Sequence, residues 1–459
     1  MTDSPAALRQ LLDRIENGSP VIGVVGLGYV GLPLAVEVAQ AGLTAVGYDV
    51  NGPVVDGINR GESHIGDVAS ETLAPLVASG RLRATTDVSA LADCDVISIC
   101  VPTPLNKIKD PDLSFVLGAT GDLVKHLRPG QLVVLESTTY PGTTEEVLLP
   151  LLEESGLTVG QDLFVCFSPE RVDPGNATWH TKNTPKVIGG VTPACAEAGV
   201  AAYAKVFDVL VPVTSARAAE LVKVYENTFR MINIALANEL AQACDRLDLD
   251  VWEVIDAAAT KPFGFMKFTP GPGLGGHCIP LDPHYLAWKM RTLEYKTRMI
   301  DQASEINAEM PAFVVQKVSD ALNEDAKAVR GSRVLVLGIA YKKDIDDLRE
   351  SPALEILRLL QEKGAEVVYH DPFCPTIADD GHTALVNLPM HSVPFTAEEL
   401  AAADAVVVVT DHTSVDYEAV RTHAGVVVDT RGVMRGWSGA GRVVGLSGDG
   451  SAMMPVLAV

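Results

Sequence analysis

Residues 21–31 read VIGVVGLGYVG, an apolar run that turns into a glycine motif. The apolar run is typical of a buried strand, and the motif that follows opens a helix running to Ala41. A second apolar run, Thr44–Tyr48, ends on Asp49, which lies 23 residues after Gly26. Strand, GxGxxG, helix, strand and acid in this order are the fingerprint of a dinucleotide-binding βαβ unit. The stretch therefore predicts a Rossmann-like domain at the start of the chain.

The same fingerprint predicts the cofactor. Glycines make the tight turn and let a pyrophosphate reach the helix N-terminus. The Asp49 carboxylate accepts hydrogen bonds from adenosine ribose hydroxyls and would repel a 2′-phosphate, which favours NAD over NADP. The residues predicted to bind NAD through this motif are Gly26, Gly28, Tyr29, Val30, Gly31 and Asp49.

Chain length, net charge and cysteine content limit the number of domains and the classes of function that are possible. A chain of 459 residues is too long for one core, so two or three domains are expected. The net charge of −23 argues against binding to nucleic acid or to an anionic membrane surface. Residues 1–20 contain no apolar h-region, and the apolar stretch 21–46 is broken by glycine and proline, so neither a signal peptide nor a membrane span is predicted. Seven scattered cysteines without a CxxC pair favour a reducing cytoplasm and predict no metal site.

Three further apolar runs, at 95–101, 131–138 and 164–170, end in polar or proline-rich residues. The carboxyl ends of parallel strands form the ligand crevice of an α/β sheet, so the side chains there are candidates for the site. Each is equally well explained as an ordinary turn or capping residue. The candidates by position are Thr103, Ser137, Thr138 and Glu170.

Residues 271–283 read GPGLGGHCIPLDP. Four glycines and three prolines exclude a helix or regular strand and predict a shaped loop that can approach a ligand closely. A thiolate at Cys278 is a plausible nucleophile, and Asp282 could manage protons or water. The alternative is a buried structural cysteine beside a tight turn. Because so glycine-rich a loop is costly to order, we favour the functional interpretation.

Residues 218–247 contain no glycine or proline and repeat apolar residues at helical spacing, which predicts one long helix. About 45 Å of helix is more than one small domain needs, so we expect it to bridge two domains and to supply a dimer surface. Lys223 and Asn227 are four residues apart and share a face of it. Facing an active site, they would supply a cation and a donor for a developing oxyanion. A solvated surface pair is the alternative.

Beyond a boundary at 330–333, apolar runs begin a second series of strands and helices. Its first turn, 340–344, lacks GxGxxG but carries Lys343 beside a second lysine. These lysines could bind a phosphate through their charge. The alternative is that the turn is only a solvated basic segment. The predicted fold is α/β, with two Rossmann-like doubly wound parallel-sheet domains joined by a central helical domain that contains the long helix. The predicted bounds are 1–213 for the NAD-binding domain, 214–328 for the central domain with the cysteine loop, and 329–459 for the C-terminal domain.

Taken together, these residues resemble the UDP-glucose/GDP-mannose dehydrogenase family, from about Val21 to Gly432. Details at 136–143 and 261–265 are most similar to the branch that acts on UDP-N-acetylglucosamine. The motifs that carry the resemblance are GLGYVGLP at 26–33, VPTP at 101–104, EST at 136–138, SPERVDPG at 168–175, Lys223 with Asn227, GGHCIPLD at 275–282, DLRESP at 347–352 and DTRG at 429–432.

The resemblance implies an NAD-dependent, four-electron oxidation of the C6 hydroxyl of a UDP-sugar, with the UDP in the C-terminal domain. It implies a homodimer or higher oligomer formed through the central domain. Cys278 would be the nucleophile that carries a thiohemiacetal and then a thioester, and Asp282 would activate water. By motif position, Lys223 and Asn227 would stabilise oxyanions. Assistance in proton transfer falls to Thr138 and Glu170.

The resemblance also assigns ligand contacts. NAD would be reached by Thr103, Ser137 and Arg349. The residues assigned to the UDP-sugar are Glu170, Arg171, Lys223, Asn227, Gly273, Gly275, Lys343 and Arg431. The chain departs from glucose-specific relatives at Pro174, where they have a second glutamate, so Glu170, Asp282 or water would take over its role.

Three alternatives remain at this stage. The first is another substrate of the same family: UDP-glucose, UDP-N-acetylmannosamine or GDP-mannose. The second is a two-electron dehydrogenase of the 6-phosphogluconate or hydroxyacid type, which needs no cysteine. The third is a redox-inactive nucleotide-sugar sensor, and the presence of Cys278, Lys223, Asn227 and Asp282 argues against it.

Overall fold

A computed structural model of the protein describes residues 4–106, 110–172, 176, 178–378, 388–436 and 441–448. The chain divides into two compact units, Met1–Glu226 with His284–Lys296, and Asn227–Pro283 with Thr297–Val459. Within the described ranges, no helix combines the length and apolar character that crossing a bilayer needs.

The first unit is built on a sheet whose strand order is the one expected of a dinucleotide-binding domain. Its described strands are Val21–Val25 (β1), Thr44–Tyr48 (β2), Leu82–Thr85 (β3), Val96–Ile99 (β4), Gln131–Leu135 (β5), Leu163–Phe167 (β6), Lys186–Gly190 (β7) and Leu210–Val213 (β8). They lie in the order β3-β2-β1-β4-β5-β6-β7-β8, and the six strands from β3 to β6 are parallel. The predicted Rossmann-like sheet is confirmed.

The parallel pattern changes at β7, which runs antiparallel to β6 with Phe167 opposite Gly189. The strand pair β7 and β8, with the helix between them, was not expected from the sequence, because β7 begins with a lysine and ends in two glycines. Since β7 is reversed, its first residue, Lys186, lies beside the carboxyl ends of the parallel strands. Below, the edge of this sheet means the side formed by these carboxyl ends.

Helices cover both faces of this sheet. Those of the first unit, up to the long helix, are Ala6–Asn17 (α1), Gly31–Gln40 (α2), Gly52–Asn59 (α3), Ser70–Ala78 (α4), Ser114–Leu123 (α5), Leu149–Glu153 (α6) and Pro193–Tyr203 (α7). Buried residues of α1, α2 and α7 pack on one face, and those of α5 and α6 pack on the other. Because both faces are covered, the strands β1, β2, β4, β5 and β6 are buried along almost their whole length and do not alternate between buried and exposed residues.

The predicted long helix extends over Ala216–Leu247 (α8), and its 32 residues span about 48 Å. The remaining helices are Val251–Ala259 (α9), Asp282–Thr292 (α10), Arg298–Glu324 (α11), Pro352–Glu362 (α12), Ala397–Ala402 (α13) and Tyr417–His423 (α14). The division between the two units falls inside α8, after Glu226, and again inside α10, after Pro283.

The second unit contains a parallel sheet in the order β10-β9-β13-β14-β15 and a separate antiparallel pair, β11 with β12. Its described strands are Arg333–Leu337 (β9), Glu366–His370 (β10), Thr376–Ile377 (β11), Met390–His391 (β12), Ala405–Val408 (β13), Val426–Asp429 (β14) and Arg442–Gly445 (β15). Buried residues of α11 and α12 cover one face of the parallel sheet, and residues of α13 and α14 cover the other. The second Rossmann-like sheet is therefore confirmed.

A buried carboxylate, Asp371, holds the first turn of this second sheet. Its Oδ2 accepts hydrogen bonds from the backbone N–H groups of Ile339 (2.7 Å) and Ala340 (3.1 Å). The Nδ1 atom of His412 accepts from the N–H of Asp344 at 2.9 Å, so the ring proton sits on Nε2, which donates to Asp371 at 3.0 Å. Burial raises the pKa of Asp371, but the hydrogen bonds from His412 and the backbone outweigh it and bring the pKa to about 2.

Asp371→Asn is expected to lower the free energy of unfolding by about 2 kcal/mol at pH 7, since the folded-state pKa lies almost two units below its ordinary value. Because the pKa of Asp371 is lower in the folded protein than in the unfolded chain, its ionised carboxylate contributes fully to the free energy of unfolding above about pH 4. This contribution is lost as the pH falls through 2. In urea denaturation, the gap between wild type and variant should narrow by about half at pH 3. Glu16→Gln, on the exposed side of α1, is the control and should show no gap. A gap of constant size at every pH would contradict the electrostatic origin.

Candidate active site

The glycine turn after β1 leaves an opening at one position. A Cβ on Gly31, the first residue of α2, would overlap the carbonyl oxygen of Gly26, whereas a Cβ on Gly28 would meet nothing within 4 Å. Asp49 shapes the turn, because its Oδ2 accepts from the N–H of Leu27 at 2.8 Å. The open space at Gly28 adjoins the N-terminus of α2, which suits a pyrophosphate. The turn therefore fits NAD, and Tyr29 lies exposed beside it.

Hydroxyl groups join the ends of β4 and β5. Ser137 Oγ donates to the carbonyl of Val101 at 2.7 Å, and Thr103 Oγ1 donates to the carbonyl of Thr138 at 2.6 Å. The hydroxyl of Tyr285 on α10 donates to the carbonyl of Thr103. Strand position thus brought Thr103, Ser137 and Thr138 together at one edge as expected. Their contacts with NAD or substrate stay predictions.

The segment after β6 is joined to α8 by an ion pair. Glu170 Oε1 accepts from the backbone N–H groups of Arg171 (2.7 Å) and Val172 (2.8 Å). The Arg171 guanidinium forms two hydrogen bonds with Glu226 of α8, at 2.5 and 3.2 Å. Lys223 lies three residues earlier on that helix and is 8% exposed. Glu170 and Arg171 therefore adjoin the part of α8 that carries Lys223.

Sequence reasoning missed Glu220, a buried carboxylate on the same helix. It accepts hydrogen bonds from the N–H of Gly142 (2.5 Å), the N–H of Thr144 (2.8 Å) and the hydroxyl of Thr144 (2.7 Å). Burial raises the pKa of Glu220 to about 7, against these hydrogen bonds. Glu220 links α8 to the segment after β5, which carries Thr138. Nothing in the sequence marks it, because it stands within a helix and outside any motif.

In the second unit, Cys278 differs from every other cysteine of the chain. All seven lie in the described ranges, and Cys278 is exposed whereas the other six are buried. Its carbonyl accepts from the N–H of Asp282 at 2.8 Å, in the turn that begins α10. The carboxylate of Asp282 is buried and accepts from the side-chain amide of Asn227 at 2.5 Å. Three residues predicted to be catalytic, Asn227, Cys278 and Asp282, are thus close together.

The glycines before Cys278 let the loop pack against the turn that follows β9. A Cβ on Gly275 would lie 2.5 Å from Cβ of Tyr341, and the N–H of Gly276 donates to the carbonyl of Arg349 at 2.9 Å. The space that a side chain at Gly273 would need is likewise occupied, by Pro352. The glycines therefore allow this loop to pack closely against another loop of the same chain. Contacts of Gly273 and Gly275 with substrate stay predictions.

The two basic residues assigned to the nucleotide sugar flank one carboxylate. Lys343 Nζ and Arg431 Nε each lie 3.9 Å from an oxygen of Asp411, and Arg431 Nε also donates to the carbonyl of Val409 at 2.7 Å. Burial lowers the pKa of Arg431, while Asp411 opposes that change. Arg349, which was assigned to NAD, forms an ion pair with Asp347 at 2.6 Å, and its role toward NAD stays a prediction.

Two further sequence observations bear on the site. Pro174, the departure from the glucose-specific pattern, lies outside the described residues. In the part of the chain that the structure describes, no three His, Cys, Asp or Glu side chains are arranged to hold a metal ion.

Comparison with known families gives three matches in chain order. Residues 21–207 match the NAD binding domain of the UDP-glucose/GDP-mannose dehydrogenase family, residues 217–309 its central domain, and residues 335–436 its UDP binding domain. Together these matches include the glycine turn, α8 with the cysteine loop, and the turn that carries Lys343.

Individual relatives cover most of the chain. The UDP-N-acetyl-D-glucosamine 6-dehydrogenase of Pseudomonas aeruginosa is 38% identical over 354 residues, which cover 77% of this chain and 82% of that protein. The NDP-N-acetyl-D-galactosaminuronic acid dehydrogenase of Ralstonia solanacearum is 36% identical, covering 93% of this chain and 99% of that protein. The solved structure of the UDP-D-ManNAc dehydrogenase of Pyrococcus horikoshii aligns with a TM-score of 0.84 at 34% identity, covering 93% of this chain and 99% of that one.

The contrast between the two glycines can be tested with one methyl group. Gly31→Ala is expected to lower the free energy of unfolding by about 1–3 kcal/mol, because its Cβ would overlap the Gly26 carbonyl. Gly28→Ala should leave the thermal midpoint unchanged and weaken NAD binding about tenfold or more, because the methyl group would occupy the pyrophosphate space. Differential scanning calorimetry and NAD titration calorimetry separate the two effects. Unchanged NAD affinity in Gly28→Ala would rule out this position for the pyrophosphate.

The exposure of Cys278 predicts selective alkylation. Iodoacetamide should add a single adduct to the native protein at Cys278, and all seven cysteines should react after denaturation, since buried thiols are protected. Cys278→Ser should take up no rapid adduct. Peptide mass spectrometry locates the adduct. Modification of any second cysteine at a comparable rate would contradict the prediction.

Proposed function

Because the chain belongs to the UDP-glucose/GDP-mannose dehydrogenase family and is an NAD-dependent UDP-sugar dehydrogenase, we propose that its substrate is a UDP-N-acetylhexosamine, with UDP-N-acetylglucosamine as the first choice. The three relatives described above are all named for N-acetylated sugars, of gluco, galacto and manno type. That agreement supports the acetamido group, and the match with the P. aeruginosa enzyme supports the gluco configuration. UDP-glucose and UDP-N-acetylmannosamine are the alternatives.

The observation that carries the proposed mechanism is the exposed Cys278 beside the buried Asp282, whose carboxylate accepts a hydrogen bond from Asn227. A nucleophilic cysteine suits the oxidation of an alcohol to an acid, because its covalent bond to the intermediate aldehyde retains that aldehyde for the second oxidation. NAD, when bound, accepts a hydride in each of two successive oxidations. The Cys278 thiolate attacks the C6 aldehyde to give a thiohemiacetal, which the second oxidation converts to a thioester.

Hydrolysis of the thioester returns the free thiolate and releases the 6-carboxylate. In this proposal Asp282 orients or deprotonates the attacking water, and the amide of Asn227 keeps the carboxylate aimed through their 2.5 Å hydrogen bond. The balance per sugar is one water consumed, two NAD reduced and three protons released.

The remaining roles come from motif position. Lys223 and Asn227 stabilise the tetrahedral oxyanions, an effect worth about 3–4 kcal/mol for each donor. Thr138 and Glu170 assist proton transfer from the C6 hydroxyl. The basic side chains of Lys343 and Arg431 hold the nucleotide sugar, which would draw them away from Asp411.

We also propose that the protein forms a homodimer or higher oligomer through α8. Large apolar side chains recur along one side of this helix and are exposed in the single chain. Soluble monomeric proteins rarely expose large contiguous apolar patches. They are Leu221, Tyr225, Phe229 and Leu236. The division into domains at 1–213, 214–328 and 329–459 and the cytoplasmic location stay predictions.

The test is the number of NADH formed per UDP-N-acetylglucosamine when the sugar is limiting. Wild type should form two, and Cys278→Ser should lose turnover by about 10³-fold or more, the order of loss when a nucleophile is removed. Cys244→Ser is a matched control on a buried cysteine and should keep both the stoichiometry and the rate.

Other outcomes separate the alternatives. One NADH per sugar, or an unchanged rate in Cys278→Ser, would exclude the four-electron route. Two NADH with UDP-glucose or UDP-N-acetylmannosamine and none with UDP-N-acetylglucosamine would keep the chemistry and replace the substrate.

A further inference from the structure

Lys186 is a buried lysine at the edge of the first sheet where the candidate residues lie. It is the first residue of β7, and the reversed direction of that strand places it next to the ends of β5 and β6. Its side chain is 3% exposed, and its Nζ donates to Glu136 Oε2 at 2.6 Å and to Glu170 Oε2 at 3.2 Å. The ring of Phe207 lies 5.2 Å from the same nitrogen. Lys186 is therefore a cation sealed between two carboxylates.

The two carboxylates differ in their access to solvent. The Glu136 side chain is 0% exposed, and its other oxygen accepts from the hydroxyl of Tyr203, which lies 3.1 Å from Ser98 Oγ. The Glu170 side chain is 17% exposed. Its Oε2 holds Lys186 at the longer distance, and an ionised carboxylate oxygen has two lone pairs, so this oxygen can still accept a proton or a further hydrogen bond. Glu170 is thus the member of the trio that can reach a ligand.

One cation shared between two carboxylates cannot neutralise both. Burial raises the pKa of Glu136, in spite of Lys186. Burial also raises the pKa of Glu170, but there the charge of Lys186 and the two backbone N–H groups prevail, and the net change is downward. Among the residues that the structure describes, Cys100 and Tyr203 also face the trio, and burial raises the pKa of both, so they stay neutral.

We propose that Lys186 is a positioning residue of the active site, which divides its charge between the sealed Glu136 and the accessible Glu170 and thereby keeps Glu170 an anion aimed outward from the sheet edge. Glu170 then acts in the reaction as a proton acceptor and not as an acid. This part of the inference rests on the proposed function. The charge relation among the three side chains does not.

The proposal gives two substitutions opposite effects. Lys186→Met removes the cation beside Glu170, so the pKa of Glu170 should rise, by about one pH unit or more. Glu136→Gln removes a competing anion of similar size and frees Lys186 for Glu170, so the pKa of Glu170 should fall or stay low. Both changes remove one buried charge from the same cluster. A merely structural role would lower the thermal midpoint in both and move the titration of Glu170 in neither.

The direct measurement is a pH titration by NMR of protein labelled with ¹³C at the glutamate side-chain carboxyl. The resonance of Glu170 is assigned by its absence in Glu170→Gln. Lys186→Arg, which keeps the charge, should titrate like wild type. If Lys186→Met does not fold, Glu136→Gln and Lys186→Arg still decide, because a rise in the Glu170 pKa in either would overturn the proposal. An unmoved titration in folded Lys186→Met would overturn it as well.

The kinetic measurement is the acid limb of the pH profile of kcat/KM, followed as NADH formation. In Lys186→Met this limb should move to higher pH, so that below it the activity falls about tenfold or more relative to wild type. A moved titration with an unmoved limb would overturn the role of Glu170 as proton acceptor. Wild type that makes no NADH from any UDP-sugar would overturn the proposed function instead, and the NMR titration would still test the charge relation.

Discussion

A parallel sheet delivers the ends of all its strands to one edge, and this constraint places the functional groups of the first unit. Thr103, Ser137 and Glu170 follow three different strands that are distant in sequence, yet register between neighbouring strands brings their starting points level. At that edge the backbone leaves the ladder of hydrogen bonds, so its N–H and C=O groups need other partners. The hydroxyls of Thr103 and Ser137 and the carboxylate of Glu170 provide them.

The same need explains the buried charged side chains that support the loops. Glu220 accepts from the backbone of the segment after β5, and Asp371 accepts from the backbone after β9. A carboxylate can accept from several N–H groups at once, so it fixes a loop that has no regular partner strand. The pKa values of these two carboxylates are shifted in opposite directions, downward for Asp371 and upward for Glu220. Asp371 has His412 beside it, whereas for Glu220 burial outweighs its hydrogen bonds.

Sequence patterns predicted the features that depend on local chemistry. The glycine turn, five strands of the first sheet and α8 follow from apolar runs, glycine spacing and the absence of helix breakers, and each lies within a few residues of its expected position. The five strands are β1, β2, β4, β5 and β6. The exposure of Cys278 agrees with the interpretation of its loop as functional. What the patterns do not contain is the partner of a buried charge. Lys186 and Glu136 are 50 residues apart in sequence and meet because β7 reverses direction, and no local spacing encodes that meeting.

The reversal of β7 also explains why a lysine is found at this depth. A parallel strand in its place would put its first residue at the opposite edge of the sheet, and Glu136 and Glu170 would then face each other without a cation. Two carboxylates in one desolvated site cannot both remain ionised, so one of them would take up a proton. With Lys186 between them, the proton affinity of each depends on the other, and the group with solvent access has the additional support of two backbone N–H donors. The direction of one strand thereby determines which carboxylate at this edge is available as an anion.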